Sequence, residues 1–248
     1  MKNKGFTLIE LSIVLIIISL IVGGIVGGKS LIHSAEISKI ASKIEGYKTA
    51  INVFYDQYDA FPGDLNNADE YWPVECVDEV TNYCNGNNDG QIYNLAGLSR
   101  ESLRAWQHMT LADIMPGSYT GLGAGAIFPS IEAVEESIPT GPLRSVFTIF
   151  HTNNAPANGK IGNYIRVAGL FQFGANVLPI GGLLKPSDAK KIDRKMDDGS
   201  ADGGILRSEN GFSDGGGALT GCLAGGAATG DYDLSTVTND CVVYAFFN

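Results

Sequence analysis

The first residue whose chemistry demands an explanation is Glu10. It sits inside Phe6-Thr7-Leu8-Ile9-Glu10, and Leu11 to Gly28 follow without a single charge. An ionised carboxylate in an apolar span costs several kcal/mol unless it is paired. A cleaved secretory signal would have a shorter apolar core and a small-residue cleavage site, and no such site follows Gly28. A plain membrane anchor explains the length of the run but not the acid. Cleavage after Gly5 explains both. It would create a new α-amino group on Phe6, one helical turn from Glu10, able to neutralise the carboxylate in the same or a neighbouring subunit.

The remaining candidates lie beyond residue 60. Cys76 and Cys84 flank an acidic segment, and Cys222 and Cys241 lie near the C-terminus. Four cysteines allow three connectivities. The local one, Cys76–Cys84 with Cys222–Cys241, is expected if this part of the chain lies outside the cytoplasm, where disulfides persist. A zinc site is not expected, because there is no CxxC and His33, His108 and His151 are dispersed. His108, beside Trp106, reads as structural. The run Asn85-Gly86-Asn87-Asn88-Asp89-Gly90-Gln91-Ile92 resembles the first eight positions of a calcium loop. Oxygen side chains Asn85, Asn87 and Asp89 alternate, then comes Gly90, and an apolar residue follows two places on. Two of the three acids are Asn, and the closing position is Ala96 rather than Glu. Glu101 can supply that carboxylate only if the backbone differs, and a polar turn-rich loop explains the same residues. Asp197, Asp198 and Asp202 form a second candidate calcium loop. No cofactor is expected; structural calcium at one of these loops is the alternative reading. Lys185, Lys190, Lys191, Arg194 and Lys195 make the only basic cluster, read as a solvated helix face with local Asp partners rather than a contact for DNA or an acidic protein. There is no nucleophile elbow, phosphate loop or metal-binding His pair, and no enzymatic activity is expected. Gly121-Leu122-Gly123-Ala124-Gly125 imitates a dinucleotide turn without the strand and helix that would support one.

Composition frames these residues. The chain has 248 residues and a formal charge of −10. Its 32 glycines are about 13% against a usual ~7%, without the period of collagen. The acidity argues against broad binding to nucleic acid or anionic lipid. Phe6 to Gly28 as a helix measures about 34 Å, enough to cross a ~30 Å hydrocarbon core. Lys2 and Lys4 before it place the N-terminus in the cytoplasm and the bulk of the chain outside. From Ile37, apolar residues recur at Ile40, Ile44, Tyr47, Ile51, Phe54 and Tyr58, a helical stripe that excludes a strand. One helix is therefore expected from Phe6 to about Tyr58, ended by Pro62. Gly23, Gly24, Gly27 and Gly28 are small-xxx-small pairs, read either as packing positions or as ordinary membrane-helix glycines. Ser12 and Ser19 are expected to bond back to the helix.

In the head, Phe61-Pro62-Gly63-Asp64 reads as a turn. A helix with Ser99 as N-cap and Ser102 in its first turn runs through Trp106 and Met109 to Pro116-Gly117. Residues 119–129 read as Gly-rich loop. Strands are expected at Ser145–His151, Asn163–Phe173 and Cys241–Phe247, the first two paired across a turn at 154–162. A short helix starts at Pro186 or Ser187 and stops at Asp197-Asp198-Gly199. The tract from Gly199 to Gly230 reads as surface loop.

Lys4-Gly5-Phe6-Thr7-Leu8-Ile9-Glu10 and the apolar run resemble the signal of type IV pilins and type II secretion pseudopilins. In that family a membrane peptidase cuts after the Gly and N-methylates the new first residue. The resemblance assigns Gly5 to cleavage, Phe6 to methylation and Glu10 to assembly. It implies a pilin-like α+β fold: a long N-terminal helix, membrane half plus amphipathic half, on a small antiparallel-sheet head with Gly-rich loops. The implied divisions are a leader at 1–5, a transmembrane and polymerisation helix at 6–28, an amphipathic helix at 29–60 and a head at 61–248. The Pro-Gly-Asp turn, the segment from Pro186 to Gly199 and a C-terminal disulfide-bounded loop also occur in such proteins. The implied partners are the prepilin peptidase, copies of the chain and other pilins or pseudopilins, and the cytoplasmic membrane before assembly. Nucleic acid is not an expected partner. The implied location is the bacterial inner membrane, single-pass with the C-terminus outside, then a periplasmic or cell-surface filament. The alternative is a minor, tip-located pilin acting as an adhesin or DNA-binding module.

Overall fold

The computed structural model describes residues 7–76, 84–93, 101–121, 128–152, 161–213, 217–226 and 230–247. Gly5, Phe6, Ser99, Ala96, the Leu122–Gly125 part of the imitated dinucleotide turn and residues 154–160 of the expected hairpin turn lie outside them. Helix α1 (Leu8–Tyr58) is 51 residues long, about 77 Å at 1.5 Å per residue. Thr7 caps it, and Asp59 ends it in the left-handed conformation, its N–H bonded to the Tyr55 carbonyl.

The expected stripe is the buried face. Ile40, Ile44, Ile51 and Phe54 are fully buried, with Ile37, Ala41, Tyr47 and Ala50 beside them and Tyr58 packed at the margin. They meet the sheet and two helices. Tyr47 stands edge-on to Phe147 at 5.1 Å and to Trp106 at 4.9 Å. Burying an Ile or Phe side chain is worth about 1.5–3 kcal/mol, so these few residues fasten the helix to the head.

The sheet is built from β1 (Val146–Thr152), β2 (Gly162–Phe173), β3 (Asn176–Gly181), β4 (Leu206–Asn210), β5 (Phe212–Ser213), β6 (Gly217–Ala218) and β7 (Cys241–Phe246). Its order is β4-β7-β2-β3-β5-β6, with β1 also on β2, and every pairing is antiparallel except a single parallel bridge, Gly181 to Phe212. The expected pair is present: Val146 faces Ala168 and Phe150 faces Tyr164. Alternation divides β2. Ile165 and Val167 join the main core under α1, whereas Tyr164 and Ala168 join Val242 and Tyr244 in a second cluster, flanked by Phe150 and Phe246. On that second face Arg166 donates to Thr148 Oγ1 at 3.2 Å and lies 4.8 Å from the Phe150 ring centre.

Short helices complete the head: α2 (Ala68–Tyr71), α3 (Glu101–Leu111), α4 (Ile131–Ser137) and α5 (Pro186–Met196). Helix α5 matches expectation, with Lys185 as N-cap and Pro186 as the first helical residue. Helix α3 stops short of the expected Pro116, because Asp113 takes a left-handed conformation (φ 60°) that ends the turn. The tract from Gly199 to Gly230 is not all loop. Residues 206–210 form β4 along β7, burying Leu206 and Ser208, and the Ser208 hydroxyl is satisfied by the Tyr232 hydroxyl at 3.0 Å.

Candidate functional site

The N-terminal end of α1 is organised by two residues. The Thr7 hydroxyl accepts the Glu10 N–H at 3.3 Å. In return the Thr7 N–H and hydroxyl donate to Glu10 Oε2 at 2.8 and 2.7 Å. This is a capping box, in which a Thr and a Glu three residues later satisfy each other's orphan backbone donors. Thr7 therefore fixes the position of the Glu10 carboxylate, and Thr-x-x-Glu ahead of an apolar run is the local sequence signal for such a cap. The cap holds the Glu10 carboxylate at the positive end of the helix dipole, beside the main chain that leads to Phe6. Gly5 and Phe6 themselves lie outside the described residues.

Beyond the cap, nothing else in the described chain covers the apolar first half of α1. Ile13, Ile17 and Ile25 are each about half exposed, at 51, 50 and 54%. Among the described residues this is the one helix long and apolar enough to cross a membrane. Ser12 and Ser19 bond back to the carbonyls of Ile9 and Leu15 at 2.9 and 2.7 Å. A Cβ on Gly23, Gly24, Gly27 or Gly28 would meet nothing, so no contact within the described chain requires them to be glycine.

In the head, disulfides join Cys76 to Cys84 and Cys222 to Cys241, with Cα atoms 5.1 and 4.8 Å apart. His108 is wholly buried against the first of these. Its Nδ1 accepts the Gly63 N–H at 2.9 Å, and its Nε2 lies 2.9 Å from the Cys84 carbonyl. A ring nitrogen that accepts must be bare, so the neutral imidazole carries its proton on Nε2. Burial, with some help from Arg104 and against the Cys84 hydrogen bond, pushes its pKa down to about 4. Both nitrogens are committed to backbone, which is a structural role.

The two acidic loops differ. In the first, Asn85 turns away to Asp69, donating to Oδ1 at 2.7 Å and accepting the Asp69 N–H at 3.0 Å. Asn87 and Asp89 stay together, with Asn87 Nδ2 donating to Asp89 Oδ2 at 3.0 Å. The residue at the centre of this loop is Asp64, from the Pro-Gly-Asp turn. It is fully buried, and its carboxylate accepts the N–H groups of Asp89 and Gly90 at 3.2 and 2.8 Å. In the second loop, Asp193, Asp197 and Asp198 bring carboxylate oxygens within 4.8 Å of one another. Each already accepts hydrogen bonds: Asp193 from Gly199 N–H and the Tyr232 hydroxyl, Asp197 from Ile205 and Leu206 N–H, Asp198 from Ser200 N–H. Asp202 Oδ1 accepts the Ser200 hydroxyl at 3.0 Å.

Two lysines of the basic cluster are locally paired. Lys190 meets Asp231 at 2.9 Å and Lys191 meets Asp188 at 2.8 Å. Asp188 also holds His33 of α1 at 2.8 Å. Burial raises the Asp188 pKa, but hydrogen bonds and charge from Lys191 and His33 outweigh it and leave the pKa lowered. This acid joins α5 to the start of the docked half of α1.

No curated protein and no solved structure matches the chain. Residues 1–26 match the family described as the prokaryotic N-terminal methylation motif. That motif is structural rather than enzymatic, and it implies processing by a prepilin peptidase and assembly with other pilins. With its long apolar N-terminal helix, the chain therefore carries the signal of type IV pilins and pseudopilins.

Proposed function

We propose that this chain is a structural subunit of a type IV pilus or type II secretion pseudopilus. It inserts as a prepilin with the head outside the cytoplasmic membrane, is cleaved after Gly5 and N-methylated at Phe6, and polymerises through α1. The observation that carries this reading is the division of one continuous helix. Its second half is buried in the head, while its first half is apolar on every side and uncovered. Lipid covers that surface in the membrane, and copies of the same helix cover it in a filament.

Glu10 gives assembly its selectivity. Inside an apolar bundle the carboxylate needs a countercharge, and the Phe6 amine of the same or an adjacent subunit supplies one. Removal of the leader also takes Lys2 and Lys4 away and leaves the amine as the local cation. Glu10→Ala is expected to leave membrane insertion intact, read by fractionation. Filament yield in electron micrographs should fall by roughly tenfold or more, the scale of one charge-assisted contact. Filaments at the normal level from this variant would overturn the pairing.

A further inference from the structure

Charge is distributed unevenly along the docked half of α1. From residue 49 to residue 99, around and beyond its distal end, the sequence has nine Asp and Glu and no Lys or Arg. At the end nearer the apolar segment the balance reverses. Lys29 is the first charge after Glu10. Exposed Arg144, Lys185, Lys191 and Lys195 then gather beside the turns from His33 to Ala41, against the acids Glu36 and Asp188. Leu31 and Ile32, just before His33, are apolar and 74 and 63% exposed. His33 follows the end of the uncharged run at Gly28 by about 7 Å of helix. That distance lies within a headgroup layer roughly 5–8 Å deep on each face of a bilayer.

At this level His33, Arg144, Lys185 and Asp188 line one cavity of about 240 Å³, with Leu143 and Leu183 in its wall. The single acid is already matched. Asp188 Oδ2 meets His33 Nε2 and its Oδ1 accepts from Lys191 Nζ, both at 2.8 Å. Arg144 and Lys185 are exposed and form no ion pair among the described residues. Arg144 is held at the cavity by two successive left-handed residues, Leu143 (φ 58°) and Arg144 itself (φ 59°), a conformation that residues other than glycine rarely adopt. No side chain caps the start of α5 at Lys185, so the positive end of that helix adds to the same place. The cavity thus carries unmatched positive charge. It is smaller than the ~300–1,000 Å³ of pockets that enclose drug-sized molecules, and it suits a small anionic group.

We propose that this cavity binds the phosphoryl headgroup of an anionic phospholipid in the outer leaflet. The inference rests on the membrane insertion proposed above and adds a lipid contact to it. Arg144 supplies a planar fork of donors that matches phosphate oxygens, and Lys185 a second, movable cation. The charge asymmetry acts in the same direction. An anionic surface attracts lysine and arginine within a Debye length of about 8–10 Å, and it repels the acidic distal end. The formal charge of −10 on the whole chain opposes general adhesion to such a surface, so the contact is confined to the base of the head. Held there, the head stands on the membrane with its acidic end outward.

The test uses the full chain in non-ionic detergent, with native mass spectrometry counting the phosphatidylglycerol or phosphatidylcholine it retains. One phosphatidylglycerol per chain is expected, held about tenfold more tightly than phosphatidylcholine. Arg144→Gln and Lys185→Gln should each weaken phosphatidylglycerol binding by about fivefold to tenfold. Both should melt in lipid-free detergent at the parent temperature, showing that they fold. Lys195→Gln removes a neighbouring charge that lines a different cavity and should change binding by no more than about twofold. Equal retention of the two lipids, undiminished binding in both cavity variants, or an equal loss with Lys195→Gln would overturn the proposal. Displacement of the lipid by millimolar inorganic phosphate would also overturn it, marking a site for free anions. So would lower filament yield from the cavity variants with lipid binding intact, marking a contact between subunits. Fractionation in parallel separates this inference from the proposed function: a chain that enters the membrane without preferring the anionic lipid fails here alone.

Discussion

The two halves of α1 share one unbroken backbone and are both rich in isoleucine, yet they are buried by different means. Ile40, Ile44 and Ile51 are 0% exposed, whereas Ile13, Ile17 and Ile25 keep about half their surface. The second half confines its apolar residues to a stripe and fills the rest with Lys39, Lys43, Glu45 and Lys48, so one flat partner, the sheet with α3 and α5, suffices. The first half has no polar face to leave in water, and no single flat partner could cover it. One helix thus carries two kinds of surface: a stripe that is satisfied inside the head, and an apolar cylinder that nothing in the described chain covers and for which the proposed function supplies lipid or other subunits.

Substitutions in the two halves should separate these roles. Ile51→Ala is expected to cost about 2–5 kcal/mol of head stability, the range for a buried large-to-small change, read by urea denaturation of the full chain in detergent. Ile17→Ala should leave that denaturation curve in place. A destabilisation from Ile17→Ala equal to that from Ile51→Ala would break the comparison.

The disulfides bear on the head alone. Removing Cys222–Cys241 is expected to cost about 2–4 kcal/mol. Its sequence separation of 19, against 8 for Cys76–Cys84, makes it the costlier of the two by roughly 0.5–1 kcal/mol in the chain-entropy account. Denaturation of the paired Ser variants measures this, and membrane insertion should not change in either.

Acidity probes two buried groups at different places in the head. His108 is held neutral by burial, with a pKa of about 4 against an ordinary 6.5. The unfolded chain therefore binds the extra proton first, and this contribution to stability is present above about pH 6.5 and lost as pH falls towards 4. Glu209 has the opposite sign. Burial, opposed by Arg166, raises its pKa from 4.5 to about 7, and it accepts the Tyr244 hydroxyl. Its folded form keeps the proton, so its contribution is present below about pH 4.5 and lost as pH rises towards 7. Tm measured from pH 4.5 to 7.5 should therefore show less decline on the alkaline side in Glu209→Gln than in the parent chain. Last in size, Lys190→Met should cost no more than about 1 kcal/mol, since its partner Asp231 is 64% exposed.

Where one element's pattern sufficed, the sequence was readable. The stripe from Ile37 to Tyr58 has a helical period, β1 and β2 are rich in β-branched and aromatic residues, and α5 begins with Pro186. Strand β4 was hidden because Leu206-Arg207-Ser208-Glu209-Asn210 contains a single apolar residue. It is a strand through pairing with β7 and because Tyr232 satisfies the buried Ser208. Strand β3 and helix α4 were not anticipated either, though the Ser130 hydroxyl that caps α4 was a local signal. Gly5, Phe6 and Glu10 stood out because a short fixed motif joins them. Asp64 did not, because it meets Asp89 and Gly90 only after the chain folds back over more than twenty residues, and no local spacing records that approach.

On the proposed function, the apolar half of α1 is a processed assembly segment rather than a permanent anchor. Mass spectrometry of the N-terminal peptide, from chain produced together with a prepilin peptidase, tests it most directly. The expected result is a peptide beginning at Phe6 and carrying an N-methyl group. A chain that still begins at Met1 in the presence of active peptidase would contradict it.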